Sequence, residues 1–380
     1  MAIFVYSDVK ISQSCWRIVK FEGISEEAAK RRIKCFAVTG RTDLLRYEEI
    51  YKNEFSTLVL IPGTNSQLPA FRKMFAGLPL RTIVFSHHIE DAANGDYSYV
   101  MSDYISVMED MLALLRRRGA TRIVLFGVSR ASNHDTCREQ AFRRFCPEGR
   151  VFYLPDMLSE HRTKDAVREL LACDKAIDAI ICCNDFLALS LSAVLDALDK
   201  SWNQKLLLAS FSDLLIGRVH SPTLTSASLS ERICGKEVVR LHRALMRDPQ
   251  IAALHALMRA DIAVRQTTAQ NDPCGVRFAD AVLPDETLDR ALAPRVKLMR
   301  LELFLKTCDV LDLQLLCGII EGTPQRRLAD RLYLSLDSIK YRLRKIRTHF
   351  DFASAEELRA FLAFWIDPKK LAELSSGQKK

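Results

Sequence analysis

Along the first two thirds of the chain, short runs of β-branched and apolar residues alternate with segments whose apolar side chains recur every three or four positions. That alternation predicts an α/β architecture with parallel sheets wrapped by helices. Strands are expected at Ile3–Tyr6, Ile33–Val38, Thr57–Ile61, Thr82–Phe85, Ile123–Phe126, Ala179–Cys183 and Leu206–Phe211. Several are apolar throughout, as strands covered on both faces are. Between the fourth and fifth, Ile105, Met108, Leu112 and Leu115 mark a helix that Ser102 can cap and Gly119 stops. A second crossover helix is expected from Phe186 to Leu198. Asn184 and Asp185 open it just past a strand's carboxyl end, the place where open α/β sheets bind ligands.

After Thr268 the pattern breaks into the polar, turn-rich stretch Gln270-Asn271-Asp272-Pro273-Cys274-Gly275, which suits a linker. Beyond it strands disappear, and the sequence reads as helical from Asp285 to Trp365. The expected organisation is a two-lobed α/β unit over 1–268 with crossovers near 86, 211 and 262, and a linker over 269–295. An all-α domain over 296–366 and a lysine-rich tail over 367–380, expected to fray, complete it.

Composition narrows the function classes. Of 380 residues 48% are hydrophobic and 27% charged, a globular balance that excludes collagenous and mostly disordered chains. The longest apolar runs are strand-sized and the N-terminus enters a strand directly, so neither a membrane span nor a secretory signal is expected, and a cytoplasmic location is. Eleven cysteines without a CxxC pair read as reduced thiols, with Cys35, Cys182 and Cys183 in strand patterns. No phosphate-binding glycine loop, GxSxG elbow or paired-carboxylate motif proposes a reaction, so an enzyme is not expected. His87, His88 and His134 lack partners at ligand spacing, and no metal or cofactor is expected. The formal net charge is +8, and its distribution matters more than its size. Between residues 295 and 350 twelve basic residues face six acidic ones, concentrating +6 in about one seventh of the chain.

Within that basic region Asp309 and Asp312 form a capping-box-like pair before Leu313, Leu316 and Ile320, and Gly322 ends the helix. A second helix starts near Pro324 with Leu328 and Leu332 inward, and Ser335 caps a third. On the third, Leu336, Ile339, Leu343, Ile346 and Phe350 share one face, and Asp337, Tyr341, Arg344, Lys345 and Thr348 the other. Two short helices joined by a tight turn, the second basic outside, describe a helix-turn-helix able to enter a DNA major groove. The run from Glu321 to Lys340 resembles the core of LuxR-type helix-turn-helix domains over about 55 residues, from Asp309 to Phe361. The resemblance implies that Ser338, Lys340, Tyr341 and Arg344 meet bases or phosphates, with Lys345 and Asp337 beside them. Asp337 stands where the family often has lysine. Such a carboxylate can accept from cytosine in the groove and also repels phosphate.

The first two thirds carry a second resemblance. Ala179 to Leu189 looks like the segment of LacI-type regulators and periplasmic sugar-binding proteins in which Asn-Asp joins an apolar strand to a helix, here Asn184-Asp185. In order, Arg122–Gly127, Arg138–Phe142, Ser210–Asp213 and Ser221–Thr225 are similar to further segments of that family. This likeness implies two similar lobes with a small sugar-like effector in the cleft between them, and hinge closure coupling effector to DNA affinity. It places Asp185 and Arg138 on the effector, with Asp8, Asp103, Asp213 and Trp16 as further candidates. Read from the residues alone, the alternatives are a helix N-cap for Asp185, a surface ion pair for Arg138 and the core for Trp16. Ala141 and Tyr104 depart from the family pattern, and DNA binding, N-terminal in the lactose-repressor branch, is expected here at the C-terminal end, after an opening that enters the first strand directly. Together the two resemblances imply a cytoplasmic, effector-responsive DNA-binding regulator, acting as a homodimer on two half-sites of double-stranded DNA. The alternative is a solute-binding protein or a sensor working through a protein partner.

Overall fold

The computed structural model describes residues 1–7, 15–62, 67–86, 97–154, 160–228, 231–270, 272–278, 283–292 and 295–377. Twelve strands occur among them: β1 Ala2–Ser7, β2 Lys34–Val38, β3 Ser56–Ile61, β4 Arg81–Ser86, β5 Ser98–Ser102, β6 Ile123–Val128, β7 Val151–Tyr153, β8 Ala179–Cys182, β9 Leu207–Phe211, β10 Thr225–Ser228, β11 His255–Met258 and β12 Asp261–Ala263. They form two six-stranded sheets, ordered β11-β5-β4-β3-β1-β2 and β12-β10-β9-β8-β6-β7. In the first, β1 lies parallel to β2 and β3, β3 to β4, and β5 to both β4 and β11. In the second, β8 lies parallel to β6 and β9. The α/β, parallel-rich reading therefore holds, and all seven expected strands are present. The five others are short or carry polar residues, as in Thr225–Ser228 and Asp261–Ala263, and give little apolar signal.

The chain forms two compact units, one of residues 1–114, 128–157 and 227–262, the other of 115–127, 158–226 and 263–380. The expected crossovers near 86 and 211 fall too early, because β5 still pairs with β4 and β10 still belongs to the second sheet.

In the first unit the period of two in the strands builds both faces of the sheet. Ile3, Val5, Val59, Ile83 and Val100 pack with Ile24, Ala28, Val238 and Val239 of the helices Cys15–Lys30 and Glu231–Arg247. Phe4, Tyr6, Leu58, Leu60 and Val84 face the opposite layer with Tyr51, Phe71 and Phe75. The two long helices touch backbone to backbone: a Cβ on Gly23 would lie 2.2 Å from the Arg232 carbonyl, and one on Gly235 equally close to the Lys20 carbonyl. The helix after β5 runs Tyr104–Arg117, and its cap is Asp103, whose Oδ1 accepts from Ser106 N at 3.0 Å, rather than Ser102. Ser102 still belongs to β5.

In the second unit the expected linker is held against its own unit. Asp272 N–H donates to the Arg118 carbonyl at 2.7 Å, Gly275 N–H to that of Lys205 at 3.0 Å, and Val276 forms an isolated antiparallel bridge with Ile177. Phe278 is buried, and Asp285 and Asp289 of the helix Asp285–Ala291 pair with Arg168 and Lys164 at 2.6 and 2.7 Å. A polar, turn-rich sequence reads as a tether when its main-chain partners are far away in the chain. The tail expected to fray also folds back, as the helix Pro368–Gly377. Leu371 and Ser375, one turn apart, are buried against the helix Val310–Ile320, and Cys317 lies 3.5 Å from the Pro368 carbonyl. Among the described residues no helix is long and apolar enough to cross a membrane.

Candidate functional site

Asp185 begins the helix Asp185–Leu198 directly after β8. It is not the cap: Asn184 is, accepting from Leu187 N–H at 3.1 Å. The Asp185 side chain is instead fully enclosed. Its Oδ1 accepts from the hydroxyls of Ser210 on β9 and Ser226 on β10, the latter at 2.6 Å, and its Oδ2 accepts from Leu214 N–H at 2.6 Å. Three donors favour the carboxylate, but burial outweighs them and raises its pKa to about 7, and the neighbouring Asp213 charge adds to the rise. One side chain thus joins three adjacent strands to the turn that follows β9. Ser210 sits in the otherwise apolar strand Leu207–Phe211, a signal by which part of this network could have been found, whereas Ser226 lies in the polar strand Thr225–Ser228.

That turn carries two residues in the left-handed region, Ser212 (φ 114°) and Asp213 (φ 48°). Asp213 N–H donates to Ser226 Oγ at 2.9 Å, while its carboxylate pairs with Arg218 at 2.6 Å and Arg265 at 2.7 Å. Asp213 is therefore neutralised within its own unit.

Arg138, on the helix Asn133–Phe145, is buried and pairs with Asp135 at 2.8 Å. A surface ion pair is thus replaced by an internal one. Asp135 also accepts from Ser129 N–H at 3.2 Å just after β6, and the Arg138 guanidinium lies 5.3 Å above the Tyr104 ring. The Tyr104 hydroxyl contacts His134 Nδ1, and burial holds the phenol well above its ordinary pKa. The arrangement is a buried, internally paired cluster of carboxylate, guanidinium and phenol near the start of the helix Asn133–Phe145. Asp135 and Arg138 stand at the i, i+3 spacing at which helical side chains meet. Asp103, the helix cap, is half-buried in the same unit. Trp16 is half-buried in the first turn of Cys15–Lys30. Asp8, His87 and His88 lie outside the described residues.

The C-terminal helices are Arg295–Thr307, Val310–Ile320, Gln325–Leu332, Leu336–Phe350, Ala355–Trp365 and Pro368–Gly377. The capping box of Asp309 and Asp312 is present. After Leu332 the chain turns through Tyr333 in the left-handed conformation (φ 54°), and Ser335 caps the next helix by accepting from Ser338 N–H at 3.1 Å. Leu328, Leu332, Ile339, Ile346 and Phe350 are buried, as their spacing requires, while Leu336 and Leu343 are half-buried. Asp337, Lys340, Tyr341, Arg344, Lys345 and Thr348 are exposed, and Ser338 is half-buried with its hydroxyl 2.8 Å from that of Ser335. Arg342 points the other way, onto Asp312 and, at 3.5 Å, Asp309, fixing this helix to the preceding capping box.

The short helix Leu215–Val219, which starts two residues after Asp213, is hydrogen-bonded to these C-terminal helices. Ile216 N–H donates to the enclosed Glu302 at 3.0 Å, and Asp367 N–H donates to the Val219 carbonyl at 2.7 Å. His220 Nδ1 lies 3.1 Å from the Trp365 carbonyl. A carbonyl only accepts, so Nδ1 carries the proton and Nε2 faces the Ser192 hydroxyl at 3.4 Å as acceptor. Burial lowers the His220 pKa, consistent with that neutral form. Neither Glu302 nor this docking was legible in the sequence, where Glu302 reads as one more charge on a helix.

Residues 112–268 match the periplasmic binding protein-like domain. No curated protein sequence matches the chain. Among solved structures, the transcriptional regulator CelR in complex with cellobiose is 17% identical and superposes with a TM-score of 0.57, covering 70% of this chain and 84% of that one. A LacI family transcriptional regulator from Enterococcus faecium with bound ribose is 17% identical, with a TM-score of 0.52 over 70% of this chain and 97% of that one. The lac repressor dimer bound to operator and an anti-inducer is 14% identical, with a TM-score of 0.55 over 70% of this chain and 81% of that one. At these identities the likeness is one of fold.

Proposed function

We propose that this chain is an effector-responsive transcription regulator of the LacI-like type, reading duplex DNA through a LuxR-type helix-turn-helix at its C-terminal end. One observation carries the DNA half of this reading. A capped helix, Leu336–Phe350, follows a three-residue turn from Gln325–Leu332, buries its apolar stripe, and leaves Lys340, Tyr341, Arg344, Lys345 and Arg347 exposed. Basic side chains gathered on one exposed helix of such a pair are the footprint of major-groove entry. Ser338 and Asp337 flank the same face and would tune base preference. Lys340→Ala and Arg344→Ala are each expected to raise the Kd for a random-sequence duplex several-fold at low salt. Each should also reduce the slope of log Kd against log salt by about 1, because each removes about one phosphate contact. Unchanged affinity in both variants, measured by fluorescence anisotropy, would sink the proposed recognition helix.

The sensing half rests on the matched domain and on a fold shared with regulators solved with cellobiose and ribose. We assign a small sugar or sugar derivative as effector, held near the carboxyl ends of parallel strands by residues such as Arg138 and Asp103. Asp185, whose oxygens are all engaged internally, would act there by shaping the turn after β9. The short helix Leu215–Val219 then carries a change in that turn to the C-terminal helices. A homodimer in the cytoplasm fits an operator with two half-sites. In a thermal-shift assay on the full chain, an effector at about 100 times its Kd stabilises by ~2.7 kcal/mol. Cellobiose, ribose, free hexoses and sugar phosphates form the panel. A panel without any shift would remove the sugar assignment and favour a sensor addressed by a protein partner.

A further inference from the structure

The C-terminal helices enclose a hollow of about 340 Å³ beside the exposed basic face of Leu336–Phe350. Lys340, Arg344, Arg347 and Arg359 line it against a single carboxylate, Glu356, a surplus of three positive charges. Its floor is apolar, made by Leu328, Leu343 and Leu358. Arg344 and Arg347 have no anionic partner among the described residues, and Lys340 has only the distant, exposed Asp337 at 3.5 Å.

Arg359 is exposed, but two contacts orient its guanidinium. Its Nε donates to the Ile320 carbonyl at 3.3 Å, which fixes one edge of the guanidinium. The other contact is Gly322, at φ 69°, where a Cβ would fall 2.7 Å from the guanidinium carbon. Glycine at this position thus serves two needs, the left-handed turn that ends Val310–Ile320 and the close approach of the arginine. Both Nη groups remain for a ligand. A planar fork held in place and without a carboxylate partner is the geometry that recognises a phosphoryl group, because the ordering cost is already met.

We infer that this hollow is a phosphoryl-binding site in which Arg359, with Arg347, holds a phosphodiester of the duplex strand flanking the groove entered by Leu336–Phe350. The inference rests on the DNA-binding reading above and adds a contact from a separate helix, Ala355–Trp365, which contributes no base reading. Such contacts position a protein on its duplex without specifying sequence.

The test uses the full chain and a fluorescent 20-base-pair duplex of random sequence across a salt series. Arg359→Ala is expected to weaken binding by roughly fivefold to tenfold at low salt and to lower the salt slope by about 1. Gly322→Ala keeps every charge but pushes the guanidinium off its seat, and should weaken binding comparably while circular dichroism reports a folded protein. Arg359→Lys, which keeps the charge and loses the fork, should fall between. Wild-type affinity in Arg359→Ala and Gly322→Ala, with Lys340→Ala still impaired, would overturn the hollow and leave the recognition helix standing. Loss of duplex binding in none of the three would overturn both. A parallel titration with inorganic pyrophosphate separates the sources: stabilisation that depends on Arg359, with duplex affinity unaffected, would assign the hollow to a small phosphorylated ligand and overturn the duplex assignment.

Discussion

Asp185→Asn is expected to remove a fall in stability that the wild-type protein undergoes between about pH 4 and pH 7. Asp185 is enclosed and its pKa is raised from 3.8 to about 7 by burial, against the pull of Ser210, Ser226 and the Leu214 amide. In the unfolded chain the same carboxyl loses its proton near its ordinary value. Across the interval the native state holds the proton and the unfolded state does not, so stability declines as pH rises. The slope is at most about 1.4 kcal/mol per pH unit, and the total is roughly 4 kcal/mol on full burial. Above about pH 7 both states are ionised and the curve levels. Asparagine cannot ionise, and it pays a nearly constant cost of ~1–3 kcal/mol because its amide must face a donor. Urea titrations of both proteins from pH 4.5 to 8 supply the check through the difference between the two curves. A difference that does not change with pH would mean that Asp185 is ionised throughout, held as an anion by its three donors.

The same residue illustrates what sequence reading reaches and where it stops. That Asp185 lies at a strand's carboxyl end, at the head of an apolar helix, follows from the run Ala179 to Leu198 and is seen. The period-two strands and the caps at Asp309 and Ser335 were equally legible, since each depends on neighbours within four residues. Which donors surround Asp185 was not, because Ser210 and Ser226 come from strands 25 and 41 residues later. The turn residues Asp272, Gly275 and Val276 read as a linker for the same reason. Their composition describes conformational freedom, while their order comes from the Arg118, Lys205 and Ile177 main chain, far earlier in the sequence. Tertiary packing also decides Arg138: a surface ion pair was the reading open to the sequence, but its burial with Asp135 beside Tyr104 was not legible there.

Glu302→Ala is expected to destabilise the protein by about 3 kcal/mol and to loosen the C-terminal helices before the rest of their unit. Glu302 has no exposed surface, accepts from Ile216 N–H at 3.0 Å, and stands 3.2 Å from Lys306 Nζ one helical turn on. Truncation leaves an amide of the five-residue helix Leu215–Val219 unsatisfied and takes the anion away from a half-buried ammonium. Both losses fall on the buried side of the balance, where the full desolvation cost is exposed rather than the small net value of the bond. Glu302→Gln retains an acceptor for Ile216 and gives up only the charge, so its cost should be nearer 1 kcal/mol. Hydrogen exchange localises the effect: faster exchange at Ile216 and in Arg295–Thr307 of the alanine variant, with β8 and β9 unchanged, is the expected pattern. Equal stability and equal exchange in the alanine variant would show that the carboxylate does not hold this junction. The link from the turn after β9 to the C-terminal helices would then have to run through His220 and Trp365 instead.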